Sequence, residues 1–209
     1  MKKEPKIRIL VADDHYVVRM GVIAIIHNQP DMEVVAEAAN GHQALALCHQ
    51  HRPDLVLLDL RMPLKSGVQV AKEISSQSIP ARVLMLTAFD GDEDIFRAME
   101  AGARGYILKN STGEHLVSAI RAVRAGGYWI PQEVARRLDA RKKYEPLTPR
   151  ELEILRELAK GLANKQIADA LNITEHTVKG FLKSILFKLR AADRTEAVTV
   201  AIQRGLIHL

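Results

Sequence analysis

The sequence predicts two units of different class: a (βα)5 doubly wound parallel sheet, followed by an all-α unit of four helices. Three observations carry this. Short apolar runs without polar alternation, of which Leu55-Val56-Leu57-Leu58 is the clearest, suit strands buried on both faces. Such runs alternate five times with helix-periodic segments, the order that builds a parallel sheet between layers of helices. Beyond Pro131 the periodic segments repeat at helical spacing.

The totals agree. A chain of 209 residues can bury two small cores, and 47% apolar with 26% charged residues is ordinary for a globular protein. No apolar run approaches the roughly 18 residues of a membrane span. A single cysteine, Cys48, excludes an internal disulfide and fits a reducing compartment. Met1-Lys2-Lys3-Glu4-Pro5 leads straight into a strand pattern with no signal region, so the expected location is the cytoplasm. The net charge of +5 is unevenly placed. Residues 1–131 carry 15 basic and 15 acidic side chains, whereas residues 132–209 carry 15 and 10. That asymmetry points to a polyanion as the partner of the second part; a solvated basic surface is the plainer reading.

Taken in order, Ile7 to Ala12 reads as a strand running into Asp13-Asp14, and Val18, Val22, Ile25 and Ile26 mark the helix after it. Met32 to Ala38 is the second strand. Gly41 to His51 is a helix with Ala44, Leu45 and Leu47 inward. The third strand, Leu55 to Leu58, ends in Asp59; a loop with Pro63 and Gly67 leads to a short helix carrying Val68, Val70, Ala71 and Ile74. Arg82 to Ala88 is the fourth strand. The acidic turn Asp90 to Asp94 starts a helix with Ile95, Met99 and Ala103, as carboxylates favour the positive end of a helix. Gly105 to Lys109 is the fifth strand, and Ser111 with Glu114 has the spacing of a capping box before the helix Leu116 to Ala125.

The polar residues recur at one place. Asp13 and Asp14 follow strand one, Asp59 follows strand three, Thr87 stands near the end of strand four and Lys109 ends strand five. In a parallel sheet these carboxyl ends share one edge, where open α/β sheets place their chemistry. Alone, Asp59 also suits a turn. Three clustered carboxylates need a cation, and hard oxygen ligands suit Mg2+. A carboxylate beside such a cation can attack a phosphoryl donor, with Lys109 and the Thr87 hydroxyl addressing the phosphoryl oxygens.

Val11-Ala12-Asp13-Asp14-His15, the segment Asp59 to Pro63, Leu86-Thr87-Ala88 and Tyr106-Ile107-Leu108-Lys109 resemble the receiver domain of bacterial two-component response regulators, over about residues 6–126. The resemblance implies a flavodoxin-like fold and an Asp59 that accepts a phosphoryl group from a sensor histidine kinase. It implies that Asp14, Asp59 and the backbone carbonyl of Arg61 hold Mg2+, with Asp13 acting through water. It also implies that Thr87 swings towards the phosphoryl group and Tyr106 turns inward behind it. Elsewhere, His42, His49 and His51 sit on a helix face rather than at ligand spacing, and Met20 and Met99 read as core fillers.

Gly126-Gly127 breaks the pattern, Trp129 is expected to pack on the first unit, and the polar run Arg136 to Lys143 reads as a short helix and then a tether. Order restarts at Leu147-Thr148-Pro149-Arg150-Glu151, where Thr148 and Glu151 form a capping box and Pro149 suits the first helical position. Leu152, Leu155, Leu158 and Ala159 give that helix its buried stripe, and Gly161 ends it. Asn164 to Leu171, the turn Asn172-Ile173 and a longer helix from Glu175 to Leu189, capped by Thr174, have helix-turn-helix spacing. A fourth helix follows Asp193. On the long helix Val178, Leu182, Ile185 and Leu189 form the core stripe, while His176, Lys179, Gly180 and Lys183 form a second stripe near the end that meets base edges in a major groove. Gly180 there means either close approach of DNA or simple tolerance.

The segments Leu147 to Glu151, Asn164 to Ala168 and Thr177-Val178-Lys179 resemble the LuxR-type helix-turn-helix. Receiver plus this module is the NarL/FixJ class of response regulators. The resemblance implies DNA contacts from Thr177, Lys179, Gly180 and Lys183, phosphate contacts from Lys165, and a homodimer on inverted half-sites of double-stranded DNA joined through the last helix, with RNA polymerase as a candidate partner. Gly180-Phe181 departs from the larger, often polar residues usual there. The expected division is a receiver at 6–128, a linker at 129–144 and the DNA-binding unit at 145–209. The expected function is a phosphorylation-switched transcription factor and not an enzyme. A Mg2+-dependent phosphatase is the competing class; it favours a D-x-D after the first strand, whereas this chain has adjacent Asp13-Asp14 and its nucleophile on strand three. A DNA-binding protein with a receiver that no longer switches is the other alternative.

Overall fold

Each apolar run becomes a strand. A computed structural model describes residues 5–88, 91–141 and 145–207; the expectations for Met1 to Glu4, for Asp90 and for Lys142 and Lys143 fall outside the described residues. The strands β1 (Ile7–Ala12), β2 (Met32–Ala38), β3 (Leu55–Leu58), β4 (Arg82–Thr87) and β5 (Gly105–Leu108) form one parallel sheet in the order β2-β1-β3-β4-β5. Five helices alternate with them: α1 (Tyr16–His27), α2 (Gly41–His51), α3 (Gly67–Ser76), α4 (Asp92–Glu100) and α5 (Gly113–Arg124). The doubly wound class is as the sequence predicts.

Side chains of period two fill both faces of the sheet. Ile9, Val11, Leu55, Leu57, Leu84, Leu86 and Ile107 pack with Val22 and Ile26 of α1 and with Leu116, Ile120 and Val123 of α5. The alternate set, Leu10, Val56, Leu58, Val83, Met85 and Tyr106, is equally buried. On α2 the buried positions are Ala44 and Cys48 rather than the two leucines, which are half-buried; burial pushes the Cys48 thiol up to about 12, so it serves as packing. Trp129 extends the edge: its carbonyl accepts from the Tyr106 amide at 2.9 Å, its own amide donates to the Arg104 carbonyl at 3.0 Å, and its ring packs on the core.

Two further expectations change. The cap of α5 is Thr112, whose hydroxyl accepts from the His115 amide, not Ser111; Gly113 adopts helical geometry and starts the helix three residues before Leu116. Met20 is exposed together with Tyr16 and Val17 on the outer side of α1, so it is no core filler.

The helix α6 (Gln132–Arg141) occupies most of the polar run. The second compact unit holds α7 (Pro149–Ala159), α8 (Asn164–Leu171), α9 (Glu175–Leu189) and α10 (Arg194–Gln203). Ile154, Leu155, Leu158, Ile167, Val178, Ile185, Leu189, Ala197 and Ala201 form its core. Asn172, at φ 54°, makes the tight turn between α8 and α9 in the left-handed region that asparagine tolerates. The capping box of α7 forms as expected, and Glu151 does more than cap. Besides accepting from the Thr148 amide at 2.7 Å, it accepts from the Ser184 hydroxyl at 2.6 Å and the Lys188 ammonium at 2.9 Å. This buried carboxylate therefore fixes α9 against α7 and sets its rotation about its own axis.

Burial alone raises the Glu151 pKa, but the bonds from Ser184, Thr148 and Lys188 outweigh it and hold it at about 2. A depressed carboxylate stabilises the fold above its ordinary value near 4.5, and that contribution is lost as pH falls towards about 2. Glu151→Gln should cost roughly 2–3 kcal/mol at pH 7. Hydrogen exchange of the α9 amides should then accelerate about 30- to 150-fold at pH 7; unchanged α9 protection would contradict this role.

Candidate functional site

The backbone register brings the predicted polar residues to one edge. Ala12 pairs with Leu58, and the ladder continues as the Asp59 amide donates to the Ala12 carbonyl at 2.8 Å. Thr87 pairs with Leu108, and the Lys109 amide donates to the Thr87 carbonyl at 2.9 Å. Asp13 and Asp59 therefore leave the adjacent strands β1 and β3, at the crevice where the strand order reverses, and Lys109 leaves β5, two strands beyond β3 on the same edge.

Lys109 stands at the centre. Its Nζ lies 2.8 Å from Asp13 Oδ2 and 2.8 Å from Asp59 Oδ2. Both carboxylates are almost completely buried. Burial pushes the Asp59 pKa up, more than the hydrogen bond and charge of Lys109 and the Arg61 backbone amide pull it down. For Lys109 burial acts downward, but its two carboxylate partners outweigh it and raise the pKa, keeping the ammonium charged.

Asp13, Asp14, His15 and Asp59 each present a ligand atom, all within 4.8 Å of one another, and they form the group among the described residues that could hold a cation. Three carboxylates against one ammonium leave two formal negative charges, and Asp59 Oδ1 is buried without a hydrogen-bond partner. Hard oxygen donors with that residual charge fit a divalent ion such as Mg2+. Asp14 is the most exposed of the three carboxylates, and it lies 2.8 Å from Nδ1 of the exposed His15. Arg61 follows at the start of the loop between β3 and α3. Thr87 and Tyr106 are fully buried; Tyr106 pairs with Met85, two residues before Thr87, so both side chains lie on the same face of the sheet.

Three residues that sequence reasoning passed over hold this geometry. Arg19, buried in α1, donates to the Asp13 carbonyl at 2.7 Å and to Glu37 at 3.0 Å, while the His15 amide holds Asp13 Oδ1 at 2.8 Å. Asp13 is thus pinned through main chain and side chain. Gly67 opens α3 where a Cβ would meet the Asp59 carbonyl at 2.1 Å, and Gly41 opens α2 where one would meet the Lys65 carbonyl at 2.1 Å. Periodicity signals neither close approach. His49 bonds Gln77 at 2.8 Å, and none of the three α2 histidines joins the acidic cluster.

In the second unit, His176, Thr177, Lys179, Gly180 and Lys183 are all exposed on α9, and Lys165 is exposed at the start of α8. The Thr177 amide and hydroxyl both engage the Thr174 cap. Lys179 pairs with Glu175 at 2.9 Å across one turn, an exposed pair worth little and easily exchanged for a phosphate. A Cβ on Gly180 would meet nothing within 4 Å, so the fold does not itself demand glycine there.

Comparison with known proteins matches residues 9–121 to the response regulator receiver domain and residues 145–201 to the bacterial regulatory proteins of the luxR family. The response regulator VraR of Staphylococcus aureus is 41% identical over 97% of this chain and 99% of its own. The transcriptional regulatory protein YxjL of Bacillus subtilis is 40% identical over 97% and 98%. The crystal structure of ChrA, a response regulator of a heme-sensing two-component system, is 39% identical over 97% and 99%, with a TM-score of 0.59. RcsB from Salmonella enterica serovar Typhimurium, bound to a promoter, shares the fold at 23% identity and a TM-score of 0.72, over 93% and 97%.

Removing the support of Asp13 should loosen the cation site without unfolding the sheet. Arg19→Met should weaken divalent-ion binding by about 10- to 100-fold, the usual weight of an outer-shell partner. Titration of Mn2+, followed by loss of the free-ion magnetic resonance signal, checks this; wild-type affinity would refute it.

Proposed function

We propose that this chain, which belongs to the two-component response regulators that join a receiver domain to a luxR-family DNA-binding domain, is switched by a phosphoryl group on Asp59. The single observation that carries the reading is the buried Asp59 carboxylate bonded to Lys109 within a cluster of acids, at the carboxyl edge of a parallel sheet. One Asp59 oxygen attacks the phosphorus of a phosphohistidine on a sensor kinase. The P–N bond breaks, and the imidazole leaves as the aspartyl phosphate forms. Lys109 then exchanges carboxylate partners for a phosphoryl oxygen, and the Thr87 hydroxyl donates to another, with the Tyr106 ring filling the space behind it. Asp14, Asp59 and the Arg61 carbonyl would hold Mg2+, with Asp13 reaching it through water; when bound it supplies charge neutralisation for the incoming phosphoryl group.

The working division is a receiver at 6–128, a linker at 129–144 and a DNA-binding unit at 145–209. Lys179, Gly180 and Lys183 face base edges, and Thr177 and Lys165 serve the phosphate backbone. Phosphorylation shifts receiver populations and frees the second unit to bind inverted half-sites as a homodimer, where RNA polymerase is met. Such a protein works in the cytoplasm. It is a regulator rather than an enzyme that turns over a substrate pool.

Acetyl phosphate with Mg2+ should add one phosphoryl mass to the intact wild-type chain, and none to Asp59→Asn or to wild type in chelator. Equal labelling of both proteins would reject Asp59 as acceptor. Sustained turnover of small phosphate esters would favour the phosphatase class instead.

A further inference from the structure

We propose that Phe187 is a base-reading residue, whose ring packs against the 5-methyl group of a thymine in the major groove. The inference rests on the DNA-binding reading above and goes beyond the lysines that the sequence assigns to that role.

The core stripe of α9 is Val178, Leu182, Ile185 and Leu189. Stepping back two residues from each gives His176, Gly180, Lys183 and Phe187, about 200° round the helix and so on the opposite face. All four are exposed, and Phe187 is 77% exposed. It cannot roll inward, because its neighbour Lys188 is bonded to Glu151 at 2.9 Å and Ser184 to the same carboxylate at 2.6 Å. The rotation that buries those two groups presents Phe187 along one line with Lys183.

The same face favours DNA over a second copy of this chain. Lys183 stands one turn before Phe187, Lys179 lies beside it, and the positive excess of the whole chain falls after residue 131. Two such faces meeting would set like charges against each other, whereas a duplex brings phosphates. Gly180 leaves the middle of the line flat, with no atom within 4 Å of a would-be Cβ, so the helix can seat deeply and carry the longer side chains to the groove floor. Phe187 is four residues past Lys183, about 6 Å along the axis, close to two base steps of about 3.4 Å. A phenyl ring neither donates nor accepts a hydrogen bond. The apolar feature on a major-groove base edge is the thymine methyl.

The test uses the full-length protein with acetyl phosphate and Mg2+ at fixed salt, and duplexes selected from a random pool. Wild type should select a thymine about two base pairs beyond the base that is lost from the consensus in Lys183→Ala. Replacing that thymine by deoxyuridine, which removes only the methyl, should weaken wild type about fourfold. Phe187→Ala should bind both duplexes alike, and Phe187→Leu should retain part of the discrimination. Wild type that binds thymine and deoxyuridine equally overturns the inference and leaves the DNA-binding reading standing. So does a Phe187→Ala protein that still discriminates, or one that loses affinity equally on every sequence or loses only pairing between copies. Wild type that enriches no sequence at all overturns both.

Discussion

The ammonium of Lys109 held between two buried carboxylates is the constraint on which the first unit depends. Sheet topology brings Asp13, Asp59 and Lys109 together, and once they are buried the two carboxylates depend on the ammonium between them. Removing Lys109 would leave two desolvated negative charges facing each other. Removing either aspartate would leave the ammonium a single buried carboxylate partner. Yet the pairing does not neutralise the pocket, since burial still raises Asp59 and one of its oxygens lacks a partner. The pocket is therefore organised but carries residual negative charge, and its hard oxygen donors suit a divalent cation.

The surrounding elements preserve that geometry at some cost in sequence freedom. Helices α2 and α3 must start with glycine because backbone carbonyls of the loop carrying Arg61 occupy the space of a side chain. Arg19 buries a guanidinium in order to fix the Asp13 main chain. The second unit solves a different problem by the same device. There the buried Glu151 carboxylate gathers a cap, a hydroxyl and an ammonium, and so orients the helix that carries Lys179, Lys183 and Phe187.

Much of this was legible in the sequence. The five strands match their apolar runs almost to the residue, because a strand buried on both faces leaves a short contiguous signal that length and flanking turn residues separate from a buried helix. The convergence of Asp13, Asp59, Thr87 and Lys109 followed from one rule about parallel strand ends. What escaped depends on side-chain direction or backbone proximity rather than period. Arg19 looks like any exposed helix arginine until the Asp13 carbonyl is seen beside it. Met20 is apolar by type, but it lies across the helix from Val18 and Val22, on the exposed side with Tyr16 and Val17. Ser111 and Thr112 are equivalent caps by composition, and only the position of the His115 amide decides between them. Phe187 breaks the polar pattern of its face, a signal present in the sequence but read only once its exposure was known.

The central claim is that phosphorylation in the first unit changes the affinity of the second for DNA. The most direct measurement is a binding titration of the intact protein on a selected duplex at one salt concentration, with the protein phosphorylated or not. The account predicts tighter binding for phosphorylated wild type alone, with Asp59→Asn held at the unphosphorylated value under both conditions. Equal affinity for phosphorylated and unphosphorylated wild type would mean that the acidic pocket and the basic helix work independently, and would contradict it.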